Sequence, residues 1–145
     1  MNANKKYQFP ECLKDQCPPH EFDKWLERKA RALLRRDRTR GNTNATRESY
    51  KIAIYESVIR CKGIDAYTGK KLRWDLISKY DNDQSRTNGR EYKKKFGDLP
   101  TVDHVDDGSG SPQFNICSWR VNDAKNDLTL GEFLAVCREV LAFNK

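Results

Sequence analysis

Apolar positions recur along this chain at two periods. From residue 20 to residue 38 the spacing is helical: Phe22, Trp25, Leu26, Leu33 and Leu34 share one side with Lys29, whose aliphatic stem can cover apolar surface. A second helical stripe runs through Tyr50, Ala53, Ile54, Ser57, Val58 and Cys61. It predicts a helix that opens between Thr43 and Thr46 and reaches about Arg60. The turn Gly41-Asn42-Thr43-Asn44 joins the two into a helical pair with an Arg-rich junction at its tip. Ile64 to Leu72 reads as a tight hairpin with Gly69 at the position that needs positive φ. Trp74-Asp75-Leu76-Ile77 reads as a helical turn burying Trp74 and Ile77. Residues 79–95 are polar and predict a long surface excursion, helical only from Glu91 to Phe96. Tyr80 and Tyr92 alternate there with Arg86, Arg90 and a lysine run, a pattern that suits a groove-lining loop and a solvated one equally.

The period then shortens. Leu99 to Val105 and Phe114 to Trp119 read as strands around a turn-rich loop from Asp106 to Pro112, followed by a helix at Asn122 to Lys125. Thr129-Leu130-Gly131-Glu132 is a capping box. The helix it opens carries Phe133, Leu134, Val136, Cys137, Val140 and Leu141 at helical spacing, a stripe read as core. Residues 1–19 are broken by Pro10, Pro18 and Pro19, and Tyr7 and Phe9 are expected to pin them.

Charge changes this picture in one respect. The net charge of +7 is carried by the first 62 residues, with 15 Lys/Arg against 8 Asp/Glu, whereas residues 63–145 hold 13 of each. This divides the chain into a basic helical region, 1–62, and a second region, 63–145. Arg31, Arg35, Arg36 and Arg38 crowd the polar face and C-terminal end of the first helix. Arginine suits bidentate phosphate contact, so these four are candidates for gripping a polyanion. The five cysteines are odd in number, the first residues carry no apolar signal, and no run approaches a membrane span. The reading is a cytoplasmic protein with reduced thiols and no membrane contact. Cys12, Cys17 and His20, with Cys61 as a fourth, could ligate zinc, but their spacing is irregular and no paired C-x-x-C occurs, so no structural zinc is expected.

The candidate chemistry lies in the strand–loop–strand–helix segment. Asp103-His104 closes the first strand, Asn115 follows in the second, and Asn122-Asp123-Ala124-Lys125-Asn126-Asp127 has the form N-x-x-K-x-D. In this order, over about residues 61–143 and including Tyr67-Thr68-Gly69 ahead of the motif, the chain resembles the HNH endonuclease family. The resemblance implies an α+β fold with a small ββα-metal core, His-Me finger-like, packed with helices beside the N-terminal helical pair. It implies a metal-dependent endonuclease acting on DNA, with RNA not excluded. Asp103 and Asn122 would hold one divalent cation, magnesium first, with manganese, nickel or zinc as alternatives. His104 would be the general base, and Asn115 would orient the loop presenting it. Lys125 would contact phosphate or fix the helix to Asp103. The final histidine of the family name is an asparagine here.

The residue types suit that chemistry. An anionic and a neutral oxygen ligand leave a hard cation with open positions for water and phosphate. An unperturbed imidazole is neutral at pH 7 and can accept a proton from water. Of the two asparagines on the last helix, Asn122 is preferred to Asn126 because it stands closer to the strands. The competing expectation is a non-catalytic nucleic-acid-binding module of the same fold, or an RNA-cleaving effector.

Overall fold

Two long helices supply much of the buried apolar surface. The computed structural model describes residues 7–80, 82–105 and 112–145. Helix α1 spans Pro19–Thr39 and α2 spans Arg47–Cys61. Pro19 stands in the first turn of α1, where its missing N–H leaves nothing unpaired and its fixed φ suits the helix. Phe22, Trp25, Leu26, Ala30, Leu33 and Leu34 of α1 are buried, and so is Asp37, one turn further along the same stripe. Helix α2 begins with a capping box in which the Thr46 hydroxyl accepts from the Ser49 N–H and the Ser49 hydroxyl accepts from the Thr46 N–H. It ends at Lys62, which is left-handed at φ 55°, and Gly63 follows at φ +75°. Glycine suits this left-handed backbone, where a side chain would be strained and its Cβ would press on Leu13 Cδ2 at 2.9 Å.

The sheet among the described residues has two antiparallel strands, β1 at Pro100–His104 and β2 at Phe114–Ser118. Their register pairs Val102 with Ile116, Asp103 with Asn115 and His104 with Phe114. Helix α2 packs on β2, and Val102, Phe114 and Ile116 join the side chains of α1 and α2 in one buried cluster with Leu72, Trp74 and Ile77. The core is therefore continuous across position 62. The rings of Trp25 and Trp74 meet edge-on at 5.0 Å, and the Trp74 indole N–H donates to the Gly63 carbonyl at 2.8 Å. The architecture is α+β, as the periodicities predict.

The expected hairpin is present as a bridge between Ile64 and Lys71, with Gly69 at φ +74°. Buried Asp65 organises it. One of its oxygens accepts from the N–H groups of Tyr67 and Thr68, and the other accepts from the Ser118 N–H at the end of β2. The turn bearing Tyr67 is thereby docked on the sheet.

Three expectations need correction. Residues 79–95 are not mainly an extended excursion: α3 runs over Asn82–Lys94, bent where Gly89 leaves helical geometry. Tertiary packing overrides the weak local signal there, because Tyr80, Tyr92 and Phe96 cluster, with Tyr80 also edge-on to Trp119 at 5.1 Å. These tyrosines are therefore committed to packing rather than to a groove. Helix α4 starts at Trp119, three residues before Asn122, because Ser118 caps it by accepting from the Val121 N–H. The third correction is the largest. Helix α5, Leu130–Phe143, has the predicted capping box but no buried residue, so its apolar stripe is not core. The predicted loop Asp106–Pro112 falls outside the described residues except for Pro112.

Candidate active site

Asp103 and His104 are the last two residues of β1. Successive strand residues face opposite ways, and the two side chains have different partners. Asp103 Oδ2 accepts from the Tyr67 hydroxyl at 2.6 Å and lies 2.9 Å from Lys125 Nζ. All three side chains are held by the local fold: β1 carries Asp103, the Asp65-anchored turn carries Tyr67, and the last turn of α4 carries Lys125. The Lys125 ammonium is buried, as is Asp103, and a low-dielectric ion pair of this kind is stable only when both partners are present. Burial, reinforced by the hydrogen bond to Asp103, pushes the Tyr67 phenol well above its ordinary range, so it remains a neutral donor. Burial and the nearby carboxylates of Asp103 and Asp65 likewise raise the Cys117 thiol, which leaves it inert beside the site.

Asn115 reaches the same network. Its amide donates to the Tyr67 hydroxyl at 3.4 Å, and its Oδ1 accepts from Arg60 at 3.2 Å. Arg60 also donates to the Phe114 carbonyl at 2.5 Å. Asn115 is thus joined to Asp103 through Tyr67. The loop it was expected to orient lies outside the described residues at 106–111.

His104 turns toward the N-terminal helices. Its Nε2 lies 2.7 Å from Asp37 Oδ2, and the Tyr50 hydroxyl of α2 donates to that same oxygen. Asp37 is 3% exposed and the His104 side chain 10% exposed. The imidazole packs edge-on to Phe114, with ring centres 5.1 Å apart. Its other nitrogen, Nδ1, is buried with no hydrogen-bond partner among the described residues.

Two adjoining cavities open on these groups. One, of about 650 Å³, is lined by Asp37, Asp103, His104 and Lys125, with Arg36 and Arg40 from the end of α1. That volume lies within the range of small-ligand sites. The second shares Arg36, Arg40, Asp103, Asn126 and Asp127, and it adds Asn122 and Asp123. Arg36 and Arg40 are one helical turn apart and so stand on the same side. Of the four arginines singled out in the sequence, Arg36 lines the cavity that holds the Asp-His pair. Arg31 pairs with Glu27 at 3.2 Å, Arg35 is exposed, and Arg38 donates to the Ala45 carbonyl at 2.9 Å, bracing the connection between α1 and α2.

The donors around the second cavity, Asp103, Asn122, Asp123, Asn126 and Asp127, are oxygen donors without a soft ligand among them, a chemistry that fits a hard cation. Among the described residues no group of three or more His, Cys, Asp or Glu side chains is arranged to hold a metal, so a cation here would keep much of its shell as water or phosphate. Cys12, Cys17, His20 and Cys61 form no such group either.

The sequence reading missed Asp37, Tyr50, Tyr67, Arg40 and Arg60. Asp37 carried a signal: it continues the stripe Ala30, Leu33, Leu34 at helical spacing, so an acid stands where an apolar residue is due. Compared with known proteins, the chain matches no family model, no curated protein and no solved structure.

Proposed function

We propose that this chain is a metal-assisted phosphodiesterase of the HNH type that cuts nucleic acid, with DNA as the first substrate to test. One observation carries the reading. An Asp-His pair at the end of a strand and an asparagine on the helix after the next strand open onto adjoining cavities walled by two arginines. Arg36 and Arg40 would bind the phosphate and hold the scissile bond over His104. The water oxygen attacks phosphorus, its proton passes to the imidazole, and the ester P–O bond opposite breaks. The leaving oxygen takes its proton from solvent. A cation held by Asp103 and Asn122 would supply charge stabilisation for the phosphoryl and leaving oxygens. Lys125 and Tyr67 fix the Asp103 carboxylate, and Asn115 with Arg60 braces Tyr67.

A second reading has its own support. The carboxylate of Asp103 is shared between Lys125 and Tyr67, an arrangement that also suits a module that grips nucleic acid without cutting it. Supercoiled plasmid incubated with the protein and magnesium, manganese, nickel or zinc separates the two, with a single-stranded and an RNA substrate alongside. The expected result is nicking that His104→Ala slows about 10²–10⁴-fold while binding persists. Asp103→Ala and Asn122→Ala should weaken metal affinity and cleavage together. Binding without cleavage under every metal would favour the module. Cleavage by His104→Ala at the wild-type rate would remove the mechanism.

A further inference from the structure

We propose that Asp37 is a positioning residue for His104. On this view the first helix supplies half of an Asp-His dyad as well as cationic surface. The inference rests on the nuclease reading for its consequence in catalysis, but its structural part stands on four observations.

The first is where Asp37 sits. It is nearly fully buried, and it lies in the last turn of α1, where the partial negative charge of the helix end disfavours a carboxylate. The same stripe position filled by leucine would avoid both costs. The second is its company. Tyr50 and His104 both address Oδ2, and they come from α2 and β1, so three elements converge on one oxygen. The third is the hydrogen-bond accounting. An ionised carboxylate only accepts, so in the neutral ring the proton facing Asp37 belongs to Nε2. That leaves the lone pair on Nδ1. The fourth is the state of Nδ1: buried, with no partner among the described residues, on a ring that lines the 650 Å³ cavity. A cluster that served packing alone would be expected to satisfy that nitrogen, because buried polar atoms seldom stay unpaired. The unpaired lone pair belongs to a ring that borders the cavity, so an incoming group that displaces the packing over Nδ1 can give it a proton.

The geometry therefore assigns Asp37 two tasks. It fixes the imidazole in the tautomer whose free lone pair is Nδ1, and it holds the ring plane against rotation. Tyr50 orients the carboxylate by donating to it. Neither contact is local in sequence, since Asp37 lies 13 positions from Tyr50 and 67 from His104.

The test has a readout that does not depend on cleavage. The chain has only two histidines, His20 and His104, so two-bond proton–nitrogen spectra of the labelled full chain resolve both rings. With the ring neutral, His104 should show protonated Nε2 and bare Nδ1. In Asp37→Asn the one amide oxygen is claimed by Tyr50 and the NH₂ turns to Nε2, so the proton should move to Nδ1. Cleavage by a folded Asp37→Asn protein should fall at least about 100-fold. In a His104→Ala background the same change should cost no further activity, because the two residues act as a unit. A wild-type ring protonated on Nδ1 would overturn the proposal, even if Asp37→Asn fails to fold. So would an Asp37→Asn enzyme that cuts at the wild-type rate, or a full additional loss in the His104→Ala background. Should the wild-type protein cut nothing, the nuclease reading fails along with Asp37's catalytic role, and the tautomer still reports whether Asp37 sets the ring.

Discussion

Helices α1 and α5 both carry an apolar stripe, and the fold treats them in opposite ways. Helix α1 is crowded with charge, with seven Lys/Arg, yet seven of its side chains are buried. Helix α5 has only three charged residues, Glu132, Arg138 and Glu139, yet none of its residues is buried. Val140 is 55% exposed, Leu141 71% and Phe143 90%. The difference teaches that amphipathic spacing states which side of a helix can be covered, not whether anything covers it. In α1 the stripe faces α2 and the Trp25–Trp74 contact, so its cations other than Lys29 are left to the remaining surface. In α5 only Phe133 and Cys137 are half-buried.

The largest effect that sharpens this contrast comes from the middle of α1. Trp25 is 1% exposed and touches the rings of Phe22 and Trp74. Trp25→Ala should cost about 3–5 kcal/mol in denaturant unfolding. A loss below 1 kcal/mol would mean that α1 is not the core helix described here.

The next effect is pH-dependent. Lys29 stands on the buried side of α1 with Nζ 3.3 Å from Thr101 Oγ1. Burial, with Arg28 nearby, lowers its pKa from 10.5 to about 8. Below pH 8 the ammonium is charged in the folded and unfolded chains alike, and the fold carries the whole desolvation cost. Between pH 8 and 10.5 the folded chain releases this proton first, so the unfolded chain binds more protons and the cost is relieved as pH rises. Raised tyrosines and thiols, such as Cys17 at about 11, act in the opposite direction at high pH. The comparison with Lys29→Met cancels them. At pH 7 that variant should be more stable by roughly 2 kcal/mol, and the gap should close toward pH 10.5. A gap that is absent at pH 7, or that widens with pH, would show that the Lys29 ammonium reaches water.

These examples also show how much of the fold is legible in the sequence. Both strands, the Gly69 turn and both long helices rest on patterns a few residues long, and they stand within a residue or two of the expected bounds. Asp103, His104, Asn122 and Lys125 were readable as a group because one strand–strand–helix unit carries them. Asp37, Tyr50 and Tyr67 were not, because each reaches the site through packing between elements distant in sequence. The phase of the α1 stripe was the one visible sign of Asp37. Helix α3 escaped because the aromatic partners of its Tyr92, Tyr80 and Phe96, lie outside it. The exposure of α5 escaped because coverage is a property of the neighbours and not of the helix.

A smaller effect uses the same local chemistry at both ends of the comparison. Thr46 and Thr129 head matching capping boxes, one on buried α2 and one on exposed α5. Thr46→Ala should lower global stability by about 1 kcal/mol. Thr129→Ala removes an equal bond, but from a helix that contributes little to the cooperative unit. It should increase hydrogen exchange in the first turn of α5 while the unfolding midpoint stays in place. Equal midpoint shifts for the two variants would show that α5 unfolds with the core.

The smallest expected effect is the most telling for α5. Leu141 and Val140 are exposed, and a polar residue at either position gives up little burial on folding. Exposed positions away from caps and cores usually change stability by no more than about 0.5 kcal/mol. Glutamine retains good helix propensity, so Leu141→Gln tests coverage with little change in local helicity. Val140→Gln replaces a β-branched residue with a better helix former, which should offset part of any lost contact. The double variant should therefore unfold within about 0.5 kcal/mol of wild type, at a midpoint independent of protein concentration. A loss of 2 kcal/mol or more in the monomer would mean that the stripe is buried in solution, as the sequence pattern alone suggests. A loss that appears only at high protein concentration would mean that α5 is covered by another copy of the chain.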